Sequence, residues 1–387
     1  MTEPNRIHAE DCLETMRRME DEAVDSIVTD PPYGLSFMGK HWDHGVPSAE
    51  VWVECLRVLK PGGHLLAFAG TRTQHRMATA IEDAGFEIRD MIAWVYGSGF
   101  PKSLDVSKAI DKAAGAEREV VGSKLGQPGY SLSKDKGRNI YNADGRSSEV
   151  ECAITAPSTE AAKQWQGWGT ALKPALEPIT VARKPLIGTV AANVLAHGTG
   201  AINVDGCRVG INPKVDDPRL GGKRVGSSIL GRWPANLIHD GSEEVVERFP
   251  KQAGASAPVR GTEPSTPAPN GIYGVYDRHV GQFYGDSGSA SRFFYCAKAS
   301  RSERGESNSH PTVKPIALME YLVRLVTPPG GLVYDPFAGS GSTAIACVKG
   351  GFQFVGSELQ QEYKEIAERR IAHWQGAPTL FTQAVSL

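Results

Sequence analysis

The stretch of this chain that most constrains its fold is 332–343, near the C-terminus. A short apolar run, Leu332–Tyr334, is followed by a glycine- and serine-rich turn and then by a segment rich in alanine and isoleucine. This succession predicts a strand, a tight loop and a helix of a parallel α/β sheet. Gly339 and Gly341 lack a Cβ, so the loop can take positive φ angles and present backbone N–H groups to a ligand at the start of the helix.

Three interpretations of this loop compete. A phosphate-binding loop requires a lysine directly before the serine or threonine, and no lysine precedes Ser342 or Thr343. A plain strand-to-helix turn requires no ligand at all. A nucleoside site is favoured, because a second strand-like run, 352–357, ends in Glu358. An acid about 20 residues after the first strand is typical of the carboxylate that binds a ribose diol.

The composition limits what the protein can bind. At 387 residues the chain can bury a large core, either as one enlarged α/β domain or as a domain with an insertion. Its formal net charge is −2, so contact with nucleic acid requires a local basic patch. An apolar run of about 18 residues and a signal segment are both absent from the sequence, which predicts a cytoplasmic protein without membrane contact. The six cysteines form no CxxC pair, and the histidines at 41 and 44 lack nearby partners, so no metal site is expected.

The first hundred residues alternate strand and helix patterns, which predicts a doubly wound sheet. A helix from about residue 48 is expected to stop at 61–63, before a strand at 64–69. An earlier strand, Val24–Thr29, runs into the tetrapeptide Asp30-Pro31-Pro32-Tyr33. Two consecutive prolines hold the chain extended and remove two N–H donors, which leaves carbonyl groups free where open α/β sheets bind ligands.

This tetrapeptide suits the methylation of a planar amine. The exocyclic amino group of a nucleobase is a poor nucleophile, because its lone pair is delocalised into the ring. We expect the Asp30 carboxylate and the Pro31 carbonyl to accept the two amino hydrogens, and the Tyr33 ring to stack on the base. A rigid turn without a ligand is the alternative for the same four residues.

Together, Asp30–Tyr33 and Asp335–Ser342 resemble the S-adenosylmethionine-dependent DNA methyltransferases that modify exocyclic amino groups. The tetrapeptide comes first and the loop last, an order similar to the circularly permuted beta group of that family. His310–Pro315 also resembles the element before the cofactor loop in this group, and 203–206 and 233–236 resemble phage-borne members. The resemblance implies a circularly permuted Rossmann-like α/β fold, mostly parallel with an antiparallel edge strand, and an inserted target-recognition region.

The resemblance also implies a role for individual residues. The catalytic residues are Asp30, Pro31, Pro32 and Tyr33. The cofactor residues are Asp11, Thr312, Lys314, Asp335, Pro336, Phe337, Ala338, Gly339, Ser340, Gly341, Ser342 and Glu358. Within this set, Glu358 is expected to bind the ribose hydroxyls, and Thr312 with Lys314 the carboxylate of the cofactor. Asp11 is expected either to contact the adenine of the cofactor or only to cap a helix. A surface lysine without a ligand is the alternative for Lys314.

The domain organisation follows from the positions of these motifs. We expect the methyltransferase domain at 1–110, 165–186 and 291–375, with the second of these segments as the returning edge strand. The remaining segments are an irregular insertion at 111–164, a target-recognition region at 187–290 and a tail at 376–387. Trp165 and Trp168 are expected either to stack on a base or to pack in the core. Six Lys or Arg residues against two Asp between positions 208 and 232 are expected either to contact DNA phosphates or to form a solvated loop.

The function implied by the resemblance is site-specific methylation of adenine N6 in double-stranded DNA, with S-adenosylmethionine as cofactor and the target base flipped out of the helix. Asp at position 30 favours adenine within the family, and a serine there would favour cytosine. Methylation of cytosine N4, of an RNA base or of a protein amide stays an alternative, as does a non-catalytic DNA-binding module. The beta group also implies a homodimer by analogy, whereas a partner restriction nuclease cannot be read from the sequence.

Overall fold

The computed structural model of the protein describes residues 3–35, 43, 45–99, 103–125, 151–210, 231–253, 288–297, 308 and 313–375. The chain divides into two compact units, one formed by 1–98 and 175–387 and the other by 99–174. Among the described helices, none is both long enough and apolar enough to span a membrane.

The described residues form strands and helices that alternate over much of the chain. The strands are β1 (Arg6–His8), β2 (Val24–Thr29), β3 (Leu59–Phe68), β4 (Glu87–Val95), β5 (Val120–Leu125), β6 (Glu151–Thr155), β7 (Leu176–Arg183), β8 (Leu237–His239), β9 (Tyr295–Cys296), β10 (Leu332–Asp335) and β11 (Gln353–Ser357). The helices are α1 (Cys12–Arg17), α2 (Ala49–Val58), α3 (Gln74–Asp83), α4 (Val106–Ala113), α5 (Glu160–Gln164), α6 (Val190–His197), α7 (Glu243–Val246), α8 (Ile316–Val326), α9 (Ser342–Gly350) and α10 (Gln361–Gln375).

The first unit contains a nine-stranded sheet in the order β1-β11-β10-β2-β3-β7-β4-β8-β9. Strands from the end of the sequence, β10 and β11, lie between β1 and β2 from its beginning, and all four are parallel. This interleaving confirms the circularly permuted, mostly parallel α/β fold. It also places the carboxyl ends of β2, β10 and β11 at one edge of the sheet, where ligands bind in this architecture.

Strand β7 is antiparallel, as expected, but the prediction that it is an edge strand is wrong. It pairs with β3 on one side and with β4 on the other, so both of its edges are hydrogen-bonded. Its last six residues are buried, a pattern typical of a strand covered on both faces. The residues of a strand do not encode which strands lie beside it, so its internal position could not be derived from the run 178–185.

Two apolar clusters sandwich this sheet. Successive residues of the central strands point to opposite faces, so Ile27 packs with α1, α2 and α3, whereas Val28 packs with α8, α9 and α10. Trp52 and Tyr321 are among the largest side chains that are fully buried in these two layers. The result is a three-layer α/β unit whose helices cover both faces of the parallel strands.

The second unit is more regular than predicted. The segment 111–164 was expected to be irregular, but its described ends form the antiparallel pair β5 and β6 and the helix α5. Their short runs show too little alternation to be recognised as strands from the sequence. Trp165 and Trp168 contact each other edge to face and are 40% and 61% exposed, so the interpretation as core residues is wrong.

The predicted target-recognition region, 187–290, is described only in part. Its helix α6 contacts β3, and its strand β8 pairs in parallel with β4, so some of this range builds the main sheet. Most of the basic segment between 208 and 232 lies outside the described residues. Its two ends form a short bridge in which Val209 pairs with Arg232.

Strand β3 runs through the Pro-Gly-Gly sequence at 61–63, where a break was expected, because distant residues satisfy its backbone. The backbone of Lys184 pairs with Gly62 and Gly63, and the side chains of Asn193 and Thr199 donate to the Pro61 carbonyl. The Asn193 amide donates to the carbonyls of Pro61 and Thr199, each at 2.8 Å, and accepts the N–H of Ile187 at 2.9 Å. Gly62 has φ +76°, and a Cβ at this position would lie 2.4 Å from Asn193 Nδ2. The glycine therefore lets this buried amide approach the strand.

We expect Asn193→Ala to lower the free energy of unfolding by about 1–3 kcal/mol, because the Thr199 carbonyl and the Ile187 N–H lose this partner, whereas the Pro61 carbonyl still accepts the Thr199 hydroxyl. Urea unfolding followed by circular dichroism measures the change. Leu195→Ala on the same helix is the matched control, since Leu195 is 88% exposed and its loss should change stability by less than about 0.5 kcal/mol. Equal effects of the two substitutions would contradict the role of Asn193.

Candidate active site

The candidate site lies at the carboxyl edge of the sheet, where β2 and β10 end side by side. The two strands pair in parallel, with Ile27 opposite Tyr334, and Asp30 and Asp335 follow at the same edge. The Thr29 hydroxyl donates to Asp335 Oδ1 at 2.6 Å, which ties the two strand ends together. Residues from opposite ends of the sequence thus meet in one place.

The glycine loop after β10 is held by backbone contacts. The Phe337 N–H donates to Asp335 Oδ1 at 3.1 Å, and the Ala338 N–H donates to the Ser357 carbonyl at the end of β11 at 2.9 Å. Gly341 precedes α9 with φ +80°, and a Cβ there would lie 2.9 Å from the Cβ of Ala367. The loop therefore needs glycine both for its conformation and for its close packing on α10.

Glu358 lies immediately after β11 and is 9% exposed. Its two oxygens accept the backbone N–H groups of Gly339 and Gln360, at 2.9 and 2.8 Å. Burial raises the pKa of this carboxyl above its usual range, and the two donors only partly oppose that effect. Among the described residues no cation pairs with it, and a carboxylate has about four acceptor positions. The remaining positions suit hydroxyl donors such as those of a ribose.

Four polar side chains form a second cluster, the amine-site cluster, consisting of Asp30, Tyr33, Glu177 and Lys314. Lys314 Nζ donates to Asp30 Oδ2 at 2.6 Å and to the Tyr33 hydroxyl at 3.1 Å. The Tyr33 hydroxyl lies 2.8 Å from Asp30 Oδ1 and 3.0 Å from Glu177 Oε2. Glu177 also pairs with Lys314 at 3.1 Å. The predicted catalytic residues Asp30 and Tyr33 thus belong to one hydrogen-bonded group.

Lys314 lies at the centre of the amine-site cluster. It is 8% exposed, and its ammonium group lies 4.9 Å from the ring centroid of Phe68 and 5.4 Å from that of Tyr33. Burial alone would lower the pKa of Lys314, but the Asp30 and Glu177 carboxylates outweigh burial and raise it. The lysine is therefore a fixed cation, and it pairs with the predicted catalytic acid. Its predicted role with a cofactor carboxylate is not tested by these contacts.

The turn that carries Tyr33 is held by Asp43. This buried carboxylate accepts the N–H of Gly34 at 2.8 Å and of Leu35 at 3.2 Å. Burial raises the pKa of Tyr33 well above its usual value, and the neighbouring carboxylates add to that effect, so the phenol stays protonated. Tyr33 is consequently available as a neutral hydrogen-bond donor.

The other predicted cofactor residues are distributed around this edge. Asp11 is exposed and caps α1, where its side chain accepts the N–H of Leu13 at 2.9 Å. The Ser340 hydroxyl accepts from Arg370 of α10 at 2.9 Å. Pro31, Pro336 and Ser342 are buried beside the strand ends, and Pro32 is half-buried. Thr312 lies outside the described residues, as do the neighbouring His310 and Pro311.

Sequence reasoning missed three side chains of this edge, namely Thr29, Asp43 and Glu177. Thr29 is the last residue of β2, and its position before Asp30 was a usable signal. The sequence does not point to Asp43 or Glu177, because neither contact follows from a local pattern. Asp43 binds the backbone of a preceding turn, and Glu177 binds Lys314, which is distant in the sequence. No group of three His, Cys, Asp or Glu side chains suited to a metal ion occurs in the described part of the chain.

Asp335 is buried, and burial raises its pKa to about 6, although hydrogen bonds from Thr29, Thr343 and Phe337 oppose the shift. An aspartate titrates near pH 4 in an unfolded chain. Asp335 therefore binds its proton more tightly in the folded protein than in the unfolded chain. Its contribution to stability is fully present below about pH 4 and is lost as the pH rises through about 6.

Between pH 4 and pH 7 the ionisation of Asp335 should lower the free energy of unfolding of the unchanged protein by about 2–3 kcal/mol. Asp335→Asn cannot ionise at this position and should not show that loss. Urea unfolding at both pH values measures the change. Asp240→Asn is the comparison. Burial would raise the pKa of Asp240, but hydrogen bonds from Ser242 and Gly97 outweigh burial and lower it. Ionisation of Asp240 therefore stabilises the folded protein, and its substitution should change the pH dependence in the opposite direction. Parallel pH dependences in Asp335→Asn and the unchanged protein would contradict the prediction.

This chain is similar in sequence and in fold to known proteins. Type II methyltransferase M.HindIII of Haemophilus influenzae is 22% identical over 94% of this chain and 94% of its own length. DNA adenine methyltransferase YhdJ of Escherichia coli is 39% identical, but over 66 residues, which are 17% of this chain and 22% of that protein. The crystal structure of an M1.HpyAVI–SAM complex aligns over 95% of this chain and 98% of its own with 17% identity and a TM-score of 0.41. The strand order, and not this likeness, carries the assignment of the fold.

A protein-family model described as DNA methylase, N6_N4_Mtase, matches residues 24–120 and 236–369. The two matched segments make up more than half of the chain, and they include both Asp30–Tyr33 and Asp335–Ser342. The gap between them, 121–235, contains the first part of the region 187–290 that the sequence suggested for target recognition. The chain belongs to the N6_N4_Mtase family of DNA methylases.

Proposed function

We propose that this protein transfers a methyl group from S-adenosylmethionine to N6 of adenine in double-stranded DNA, with the target base flipped out of the helix. The observation that carries the proposal is the meeting of Asp30 and the glycine loop at the ends of two paired strands, β2 and β10. Membership of the DNA methylase family supports the reaction class. The choice of adenine rests on the aspartate at position 30, where a serine would favour cytosine.

The residues of the loop suit the cofactor. Glu358 presents a nearly buried carboxylate with acceptor positions left for a ribose diol. Phe337 is half-buried beside the loop, and its ring face suits a sulfonium by cation–π attraction worth about 0.5–2 kcal/mol. When bound, S-adenosylmethionine supplies an electrophilic methyl group on a positively charged sulfur. Gly339 and Gly341 leave space for that ligand to approach the backbone.

The amine-site cluster suits the nucleophile. Asp30 accepts two hydrogen bonds from Lys314 and Tyr33, and a carboxylate has about four acceptor positions, so it can still accept one from an amino group. That bond draws the nitrogen lone pair out of the ring. Once methylated, the nitrogen is strongly acidic, and Asp30 can receive its proton late in the reaction. The protein therefore contributes mainly positioning and a polar, largely buried site.

A base within a duplex cannot reach a carboxylate at the edge of the sheet. Extrusion of the target nucleotide costs a few kcal/mol and is typical of enzymes that modify bases. The ring of Tyr33 lies next to Asp30 and is the side chain we assign to stacking on the flipped base. The DNA-contacting surface is assigned to the basic segment between 208 and 232, which lies in the gap of the family match.

We expect Asp30→Ala to reduce methyl transfer by on the order of a hundredfold or more while the dissociation constant for S-adenosylmethionine changes less than about threefold. Glu358→Ala should do the reverse and weaken cofactor binding by about tenfold or more, because its hydroxyl acceptors are lost. Isothermal titration with the cofactor and transfer of labelled methyl groups to DNA measure the two effects. Equal loss of cofactor affinity in both variants would refute this division of roles.

The methylated base can be identified directly. After reaction with unmethylated genomic DNA, digestion to nucleosides and mass spectrometry should show N6-methyladenine. N4-methylcytosine in its place would refute the adenine assignment and leave the reaction class intact. Absence of both products, from protein that binds the cofactor, would refute DNA methylation itself and favour a non-catalytic DNA-binding module.

A further inference from the structure

Glu177 is an acid without an assigned role that reaches the amine-site cluster from the antiparallel strand β7. Its carboxylate lies 3.1 Å from Lys314 Nζ and 3.0 Å from the Tyr33 hydroxyl. Because β7 is inserted between β3 and β4, this side chain enters from a different part of the sheet than Asp30 does. Its side chain is 19% exposed, so the contacts lie in a largely desolvated place.

Lys314 connects Glu177 to Asp30, because its ammonium group contacts both carboxylates. An ammonium group has three N–H donors, and here they are directed at Asp30, Tyr33 and Glu177, at 2.6, 3.1 and 3.1 Å. The single hydrogen of the Tyr33 hydroxyl faces a carboxylate on either side. Lys314 is therefore held by three partners at once, and removal of the Glu177 charge would leave Asp30 as its one anionic partner within the amine-site cluster.

The charges point the same way. The amine-site cluster has two carboxylates and one ammonium, so it keeps a single net negative charge. Without Glu177, Lys314 would neutralise Asp30. Methyl transfer develops positive charge on the target nitrogen, and a neutral pair would stabilise that charge much less than a net negative group.

We propose that Glu177 is a positioning residue that offsets the charge of Lys314 and so keeps Asp30 effective as the acceptor for the target amine. The proposal rests on the proposed function and adds a second carboxylate to it. Two further titratable groups face the cluster, Asp335 from β10 and Tyr96 after β4. Both are present in every variant below, so differences between variants report on Glu177 and Lys314.

The split between kcat and KM tests this role, because the proposal makes kcat depend on the net charge around Asp30. Glu177→Gln removes a negative charge and keeps the shape of the side chain, so kcat should fall about tenfold or more. KM for cofactor and for DNA should change less than about threefold, since neither is bound through Glu177. Glu177→Asp keeps the charge and should retain most of the activity.

The matched substitution is Lys314→Met, which removes the positive charge of the amine-site cluster. The double variant Glu177→Gln/Lys314→Met has the same net charge as the unchanged cluster. We therefore expect its kcat to exceed that of Glu177→Gln. Losses that simply add in the double variant would indicate a structural role and overturn the proposal.

Glu87→Gln is the control. Glu87 of β4 pairs with Arg183, which lies at the opposite end of β7 from Glu177 and away from the amine-site cluster. It should leave kcat unchanged. Thermal unfolding and cofactor titration of every variant report whether it is folded. If Glu177→Gln behaves as Glu87→Gln does while the unchanged protein methylates DNA, the role of Glu177 is refuted and the proposed function stands. If the unchanged protein binds cofactor but methylates no DNA, both are refuted.

Discussion

The pairing of β2 with β10 is the contact on which the rest of the structure depends. It joins strands from opposite ends of the sequence, and the Thr29–Asp335 hydrogen bond fixes their last residues against each other. Loop closure over so long a separation costs entropy that local contacts cannot offset. The buried layers on both faces of the sheet supply the compensating free energy. One consequence is that Asp335 is buried, and this burial raises its pKa to about 6.

The amine-site cluster shows how a buried lysine is accommodated. A charged group in a desolvated place is costly unless it is paired and hydrogen-bonded. Lys314 has two carboxylates and a phenol around it, together with the ring of Phe68. Such an arrangement contributes little to stability compared with apolar packing, which favours a role in the chemistry over a role in folding. The surplus negative charge suits the proposed reaction, which develops positive charge on the target nitrogen.

Much of the first unit was predictable, because its signals are local. The strand, loop and helix around Gly339 and the strand that ends at Thr29 follow from apolar runs and turn residues, and the structure has both. The position of β7 was not predictable, because the pairing partners of a strand are set by the whole sheet and not by its own residues. The break expected at 61–63 failed for a similar reason, since Lys184, Asn193 and Thr199 satisfy the backbone there from distant parts of the chain.

The sequence by itself determined which chemical groups the protein has and the order in which they occur, because the motifs at Asp30–Tyr33 and Asp335–Ser342 are short and contiguous. It also determined the alternation of strands and helices that builds a parallel sheet. Only the tertiary structure decided which side chains share a site. Glu177 and Lys314 lie far apart in the sequence and meet because an antiparallel strand is inserted between two parallel ones. Side-chain pairing of this kind depends on distances in space, which the local pattern of residues does not encode.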